Sequence, residues 1–164
     1  MKYSELKMHL NGLLGLLNAK NDGIEVLELF SPSTKPVIGD WSDQSNLPIP
    51  VKGDGIGNRS GIYFFTTEDE DVLYIGKATK NNIHERVWDH IQTPKDIEGG
   101  KIFPNSKFDI SSENVFCQLV RDGRVKVGII SISPATVAPL AEVYLQTIYS
   151  LQMRKIPPLC KQIG

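Results

Sequence analysis

Residues 61–91 of this 164-residue chain read GIYFFTTEDEDVLYIGKATKNNIHERVWDHI, and their apolar pattern sets the expected architecture. Two short apolar runs, at 62–65 and 72–75, flank an acidic stretch at 66–71. Apolar runs separated by a short polar segment are typical of a β-hairpin with a longer loop. We therefore predict two antiparallel strands here, the second of which ends at Gly76.

The period of the apolar residues changes after residue 82. Ile83, Val87 and Ile91 recur at helical spacing, which predicts a helix whose apolar face packs back onto the hairpin. Arg86 and His90 are four residues apart on this helix, so they lie one turn apart at the edge of the apolar face. The predicted packing gathers five side chains beside one small sheet: Tyr63, Tyr74, Lys77, Arg86 and His90.

These residues carry a resemblance to a known family. The tripeptides GIY at 61–63 and YIG at 74–76, followed by Lys77 and then by Arg86 and His90, are similar to the opening of the GIY-YIG nuclease superfamily. The resemblance covers residues 61–161. It implies an α+β fold in which helices flank a small central antiparallel β-sheet, and it makes residues 61–164 a nuclease domain.

Residues 1–60 precede the resemblance and are expected to form an N-terminal extension packed on the same domain. Leucines at helical spacing predict an amphipathic helix over residues 4–18, and residues 24–30 favour a short strand. Between residues 31 and 60 the chain carries four prolines and four glycines, a density that excludes long regular elements. We expect a long loop there.

The second half of the chain should extend the sheet and then form a helix. Residues 92–114 are interpreted as irregular, and the apolar runs at 115–120 and 125–133 predict two further strands joined by a tight turn at 121–123. Pro139 suits the first turn of a helix that should run to about Met153. Glu142 is expected off the buried stripe of that helix. This stripe is predicted to consist of Leu140, Tyr144, Ile148 and Leu151.

Composition limits the classes of function. The hydrophobic content of 40% and the charged content of 23% are those of an ordinary globular domain. A formal net charge of -1 gives no overall attraction to polyanions, so a nucleic-acid partner would require a local basic patch. Cys117 and Cys160 are far apart in sequence and are interpreted as unreactive thiols in a reducing compartment. Without a signal peptide or a long apolar run, the chain is expected to be soluble and cytoplasmic.

Hydrolysis of a phosphodiester requires an activated water, a cation for the charge that develops at phosphorus, and help for the leaving oxygen. Glu142 offers the hard oxygen ligand that suits Mg²⁺ or Mn²⁺. Arg86 can bind a phosphate oxygen bidentately. Its fixed charge also disfavours the imidazolium form of His90, so this histidine is expected to be neutral near pH 7.

The resemblance implies a role for each candidate residue. It makes Tyr63 the group that helps to activate water and His90 a partner in proton transfer, while Glu142 holds a single metal ion. It assigns the orientation of the phosphate to Tyr74, Lys77 and Arg86. DNA is the expected partner and RNA is left open. The residues expected to bind nucleic acid are Lys77, Lys80, Arg86, Lys95 and Lys101.

One position departs from the family pattern. The family usually has an asparagine shortly after a proline beyond the glutamate helix, and here Lys161 occupies that position. A charged lysine cannot accept a hydrogen bond, so either a neighbour such as Gln162 replaces the amide or activity is reduced. Three functions therefore stay open: a restriction-like or repair-like DNA endonuclease, an inactive nucleic-acid-binding module, and an interaction protein without nucleic acid.

Overall fold

A computed structural model describes residues 1–20, 23–34, 58–91, 95–98, 100–103, 107–108 and 115–164. In these residues the fold is α+β, with four helices, a four-stranded antiparallel sheet and a separate two-stranded hairpin. Most of the predicted loop at 31–60 lies outside the described residues. The elements in chain order are α1 (Tyr3–Asn18), β1 (Glu25–Phe30), β2 (Gly61–Thr66), β3 (Val72–Ala78), α2 (Ile83–Ile91), β4 (Lys95–Ile97), β5 (Gly100–Ile102), α3 (Val115–Arg121), β6 (Lys126–Ser133) and α4 (Val137–Met153).

The four-stranded sheet has the order β1-β6-β2-β3, and each neighbouring pair is antiparallel. The predicted hairpin is confirmed as β2 and β3, which pair Tyr63 with Gly76 and Phe65 with Tyr74. The prediction that the second strand ends at Gly76 is wrong. β3 continues to Ala78 because its last two residues keep pairing with the start of β2.

The two faces of the sheet carry separate cores. Side chains alternate along β2, so Tyr63 and Phe65 pack with α2 and α3, whereas Ile62 and Phe64 pack with α1 and α4. All six residues of β2 are buried, since helices cover both faces of this central strand. The predicted helix after the hairpin is confirmed as α2. Its fully buried apolar residues are Ile83, Val87 and Ile91.

The N-terminal segment contributes a helix and a strand to this architecture. The predicted helix and strand are confirmed as α1 and β1, and β1 pairs with β6. α1 packs against α4, and its Tyr3 ring meets Phe64 edge to face with centroids 5.1 Å apart. The Tyr3 hydroxyl donates a hydrogen bond of 2.7 Å to Glu28, which ties α1 to β1.

The apolar run at 115–120 forms a helix, α3, so the prediction of a strand is wrong. Cys117 and Val120, three residues apart, are buried, whereas Val115 is 65% exposed. This is the burial pattern of one helical face, and a short apolar run alone does not distinguish it from a strand. The turn at 121–123 therefore ends a helix. Gly123 has φ 69° there, and its N–H donates to the carbonyl of Val120 at 3.1 Å.

α4 is present where it was predicted, but it presents a different face to the sheet. Leu140 is 49% exposed and Leu151 is 72% exposed, so the predicted buried stripe is wrong, and Glu142, which was expected off that stripe, is buried. The inward face combines two alanines and two polar side chains with Leu145 and Tyr149, whereas Leu140 and Leu151 lie outside. The buried residues of α4 are Ala138, Ala141, Glu142, Leu145, Gln146 and Tyr149.

The segment 92–114 is not irregular throughout, because it contains the short hairpin β4–β5. Most of its other residues lie outside the described part of the chain. Among the helices that the structure describes, none is both long and apolar enough to cross a bilayer.

Candidate functional site

β3 lies at one edge of the described four-stranded sheet, and a cleft of about 470 Å³ opens beside it. Side chains from both faces of the sheet reach this cleft, because α2 approaches the edge from one side and α4 from the other. The polar and aromatic lining includes Tyr74, His90, Lys107, Phe108, Glu142, Gln146 and Lys161.

Tyr63 and His90 form a buried pair behind the cleft. The Tyr63 hydroxyl and His90 Nε2 are 2.8 Å apart in a hydrogen bond, and Tyr63 has no exposed surface. A Cβ atom added at Gly76 would lie 2.5 Å from Tyr63 Cζ and 2.7 Å from Tyr74 Cε1. The glycine of the YIG tripeptide is therefore required for the two tyrosine rings to lie side by side.

The glycine of the GIY tripeptide has a different steric reason. Gly61 has φ 152°, and a Cβ atom there would lie 2.1 Å from the backbone oxygen of Ile130 in β6. Only a residue without a side chain allows β2 and β6 to approach this closely. Both motif glycines thus have packing roles, whereas the motif tyrosines point towards the cleft side of the sheet.

Burial keeps His90 neutral. The pKa of His90 is lowered to about 4, mainly by desolvation and then by the charges of Arg86 and Lys107, against an opposing effect of Asp89. The prediction of a neutral histidine is confirmed, although burial contributes more than the charge of Arg86. The imidazole stacks on Phe108 with centroids 5.1 Å apart. Its Nδ1 is buried and has no hydrogen-bond partner within the described residues.

The two tyrosines differ in their access to the cleft. Tyr74 lines it, whereas Tyr63 is buried behind it. Burial raises the pKa of Tyr74 to about 12, and a hydrogen bond with Tyr63 opposes this rise. Burial also raises the pKa of Tyr63 well above its ordinary value. Both phenols are therefore protonated at neutral pH.

Glu142 and Lys77 form an ion pair from the other face of the sheet. Lys77 pairs with Ile62, so it projects towards α4, where Glu142 lies on the buried face. The Lys77 side chain is 33% exposed and that of Glu142 is 7% exposed. Burying a carboxylate to this extent is costly without a partner, and the ammonium group of Lys77 offsets that cost.

A second group of cations borders the cleft near α2. Lys107 Nζ lies 2.9 Å from Asp89 Oδ2, and the same oxygen is 3.8 Å from the guanidinium of Arg86. The hydrogen bond from Lys107 lowers the pKa of Asp89. The backbone N–H of Lys107 also donates to the carbonyl of His90 at 3.0 Å. This local basic group is what a near-neutral chain would need in order to bind a polyanion.

None of the residues expected to bind nucleic acid is among the described residues that line the cleft. Lys77 adjoins the cleft through Glu142, and Arg86 adjoins it through Asp89, which Lys107 also binds. Lys80 is exposed in the connection before α2, and Lys95 is exposed in β4. Lys101 belongs to β5, and its side chain lies outside the described part of the chain. Lys161, the residue that departs from the family pattern, does line the cleft.

The donor set of the cleft can be compared with the needs of a divalent cation. The described residues contain no cluster of three or more histidine, cysteine, aspartate or glutamate side chains that could hold a metal. Mg²⁺ often uses only one or two carboxylates and keeps several waters, so Glu142 alone fits such a site. Lys77 occupies one carboxylate oxygen, and it would have to release that oxygen to the cation.

Lys107, Phe108 and Gln146 are among the lining residues that were absent from the set predicted from the sequence. Lys107 and Phe108 lie in a segment without periodicity, and the local signal for Gln146 is its position four residues after Glu142. The cysteines were predicted to be unreactive thiols, and both are buried and outside any disulfide. Burial raises the pKa of Cys160 to about 11.

In comparisons with known proteins, no family model, curated protein or solved structure matches this chain.

Proposed function

We propose that this protein is a metal-dependent endonuclease of the GIY-YIG type that hydrolyses phosphodiester bonds in DNA. One observation carries the proposal. The neutral pair of Tyr63 and His90 and the ionic pair of Lys77 and Glu142 belong to opposite faces of one hairpin, yet both adjoin one cleft. Such a cleft offers proton transfer and charge stabilisation to the same substrate.

The cations of the cleft would hold the scissile phosphate. Arg86 is 41% exposed and Lys107 is 46% exposed, so both can turn to an incoming anion at small cost. Lys77 can exchange the carboxylate of Glu142 for a phosphate oxygen. Preorganised positive groups of this kind stabilise the charge that develops on phosphorus.

Proton transfer would pass through the aromatic cluster. Tyr74 is the hydroxyl group at the cleft, and Tyr63 connects it to His90 through hydrogen bonds. A proton from the attacking water can move to Tyr74 as Tyr74 passes its own proton to Tyr63, and Tyr63 protonates the neutral imidazole. In this scheme Tyr63 acts from behind Tyr74, because it has no exposed surface through which to contact water directly.

Glu142 is the residue that would hold a Mg²⁺ or Mn²⁺ ion, which supplies Lewis-acid activation of the phosphate when bound. The residue's own contribution is a buried, ionised carboxylate at a fixed place in the cleft wall. Because Lys77 shares this carboxylate, a phosphate that attracts Lys77 also frees Glu142 for the cation. The binding of phosphate and of cation should therefore reinforce each other.

The test is the change Glu142→Gln, which keeps the size of the side chain and a hydrogen-bond acceptor for Lys77. We expect metal-dependent cleavage of plasmid and single-stranded DNA to be abolished. The dissociation constant for DNA measured without metal should change less than about threefold, which is under 1 kcal/mol, because the cations that contact phosphate remain. Glu85→Gln, at an exposed position of α2, is the matched control and should cleave normally. Normal cleavage by Glu142→Gln would refute the proposal.

A second candidate function is a nucleic-acid-binding module that does not cleave. It is favoured by the ion pair that neutralises Glu142 and by the presence of Lys161 in the cleft wall. The two candidates separate in one comparison. A wild-type protein without cleavage, combined with cleavage by the variant Lys161→Asn, supports the binding module.

Salt dependence separates both candidates from an interaction protein without nucleic acid. Each phosphate contact should contribute about -0.9 to the slope of the logarithm of the binding constant against the logarithm of salt concentration on duplex DNA. A binding constant that does not respond to salt between low and physiological ionic strength would exclude both nucleic-acid functions.

A further inference from the structure

The amide of Gln146 is a buried polar group that the proposed mechanism does not use. Gln146 is only 3% exposed and follows Glu142 by four residues on the same inward face of α4. Four residues correspond to a rise of about 6 Å, so the amide lies roughly one turn along the helix from the carboxylate.

Both ends of this amide are hydrogen-bonded to other segments. Its Nε2 donates to the carbonyl of Ile75 at 3.0 Å, and its Oε1 accepts from the backbone N–H of Gly164 at 2.7 Å. Leu159, in the same segment as Gly164, donates its N–H to the carbonyl of Leu73 at 2.9 Å. Gln146 thus connects three parts of the cleft wall: α4, β3 and residues 159–164.

The hydrogen bond from Gln146 to β3 is made next to the tyrosine that lines the cleft. Ile75 stands between Tyr74, the tyrosine of the cleft, and Gly76, which admits the Tyr63 ring. A hydrogen bond to its carbonyl fixes the distance between β3 and α4. The amide therefore sets where the hydroxyl of Tyr74 lies relative to the carboxylate of Glu142.

An apolar side chain at position 146 could fill the same space, but it would leave the carbonyl of Ile75 with only the weaker Sγ–H donor of Cys160, at 3.8 Å, and it would release the N–H of the exposed Gly164 to water. A buried carbonyl that loses its strong donor is destabilising, and the segments would move apart to let water reach it. A buried amide with both ends satisfied has the opposite effect, because it selects one geometry.

We propose that Gln146 is the positioning residue of this site, and that its amide supplies the fixed hydrogen bonds lacking at position 161, where a lysine stands. The inference rests on the proposed endonuclease function. It also differs from the expectation that Gln162 takes this role, since Gln162 is exposed and its side chain bonds Gly164 at 3.4 Å.

The experiment compares Gln146→Met with Gln152→Met, a matched change at an exposed position of the same helix. Single-turnover cleavage by Gln146→Met should fall about 10²-fold, the usual effect of a small misplacement of reacting groups. Its dissociation constant for DNA should change less than twofold, and Gln152→Met should match the wild type. The double variant with Gln146→Met and Lys161→Asn should cleave at least tenfold faster than Gln146→Met alone, because the second change returns an amide to the cleft wall.

An unchanged cleavage rate in Gln146→Met, or an equal loss of rate and of DNA affinity, overturns the inference. A wild-type protein that neither binds nor cleaves DNA refutes the proposed function instead. Hydrogen exchange of the wild type provides a test that does not depend on cleavage or on the folding of a variant. The Gly164 amide should be protected, and exchange at the rate of an unfolded chain would show that the connection does not form.

Discussion

α2 and α4 flank the β2–β3 hairpin from opposite faces, and they bury polar groups in different ways. α2 buries one polar side chain, His90, which is bonded through Nε2 alone within the described residues. α4 buries Glu142 and Gln146, whose side chains bond Lys77 in one case and backbone groups in the other. One face thus keeps a neutral group in an apolar setting, and the other keeps a charge with its counterion.

This difference teaches how two kinds of chemistry can share one small cleft. On the α2 face, desolvation lowers the pKa of His90 and raises the pKa of Tyr63, so both groups are neutral at pH 7. On the α4 face, an isolated carboxylate would be costly, and pairing with Lys77 preserves its charge. β2 and β3 separate the two environments by the thickness of one sheet.

The largest expected effect comes from removing the neutral base of the α2 face. His90→Ala should lower the rate of cleavage by about 10² to 10⁴, the usual contribution of a positioned general acid or base. DNA affinity should be little affected, because the cations remain. Single-turnover kinetics of this variant against His9→Ala, a histidine of α1 outside the cleft, measures the effect. Equal rates of cleavage in His90→Ala and His9→Ala would contradict the role in proton transfer that is proposed for the α2 face.

The next effect is a dependence of stability on pH. The pKa of His90 is about 4 in the folded protein against 6.5 for an ordinary histidine, so the unfolded chain binds a proton between these values. The stabilisation is complete above pH 6.5 and is lost as the pH falls towards 4, by about 3 kcal/mol. Urea unfolding between pH 4 and pH 7 measures it. His90→Phe should show a flatter profile than the wild type, and parallel profiles would count against a neutral buried imidazole.

A smaller effect tests the packing of the two tyrosine rings. Gly76→Ala should destabilise the protein by about 1–3 kcal/mol, since the new methyl group overlaps the rings of Tyr63 and Tyr74. Gly12→Ala is the matched change in α1, where nothing lies within 4 Å of the added atom. It should stabilise the helix by roughly 0.5–1 kcal/mol. Thermal unfolding of both variants measures the contrast, and effects of the same sign would contradict it.

The smallest effect sharpens the description of α4. Leu151→Gln should change the free energy of unfolding by less than about 0.5 kcal/mol, because the side chain is 72% exposed. Leu145→Ala, on the inward face, should cost about 2–5 kcal/mol. Chemical denaturation of the two variants measures both changes. A large loss of stability in Leu151→Gln would support the buried stripe that was predicted from the sequence.

The sequence predicted the hairpin and α2 well because each has one dominant apolar pattern. It failed at α4 for a physical reason. Two sets of residues on that helix have helical spacing, and the more apolar set, which includes Leu140 and Leu151, faces outward. Small alanines allow the inward face to approach the sheet, and Glu142 is tolerated there because Lys77 meets it. Such a partner, 65 residues away in the chain, has no local signal.

The candidate site was likewise predicted only in part from the sequence. Tyr63, Tyr74 and His90 were predicted to lie close together because they belong to one hairpin and its next helix, and the structure places their rings within 6 Å of one another. Lys107 and Gln146 were not predicted, since their places in the cleft depend on contacts between distant segments. Gln146 and Ile75, for example, are separated by 71 residues.

The hydrogen bonds to β3 from Gln146 and Leu159 also affect the solubility of the fold. The carbonyls of Leu73 and Ile75 are two residues apart, so both point outward from the last strand of the described sheet. Outward carbonyls left open would be a template on which another chain could add a strand, and such additions lead to aggregation. The contacts that hold the cleft wall in place therefore also block the growth of the sheet at the edge beside the cleft.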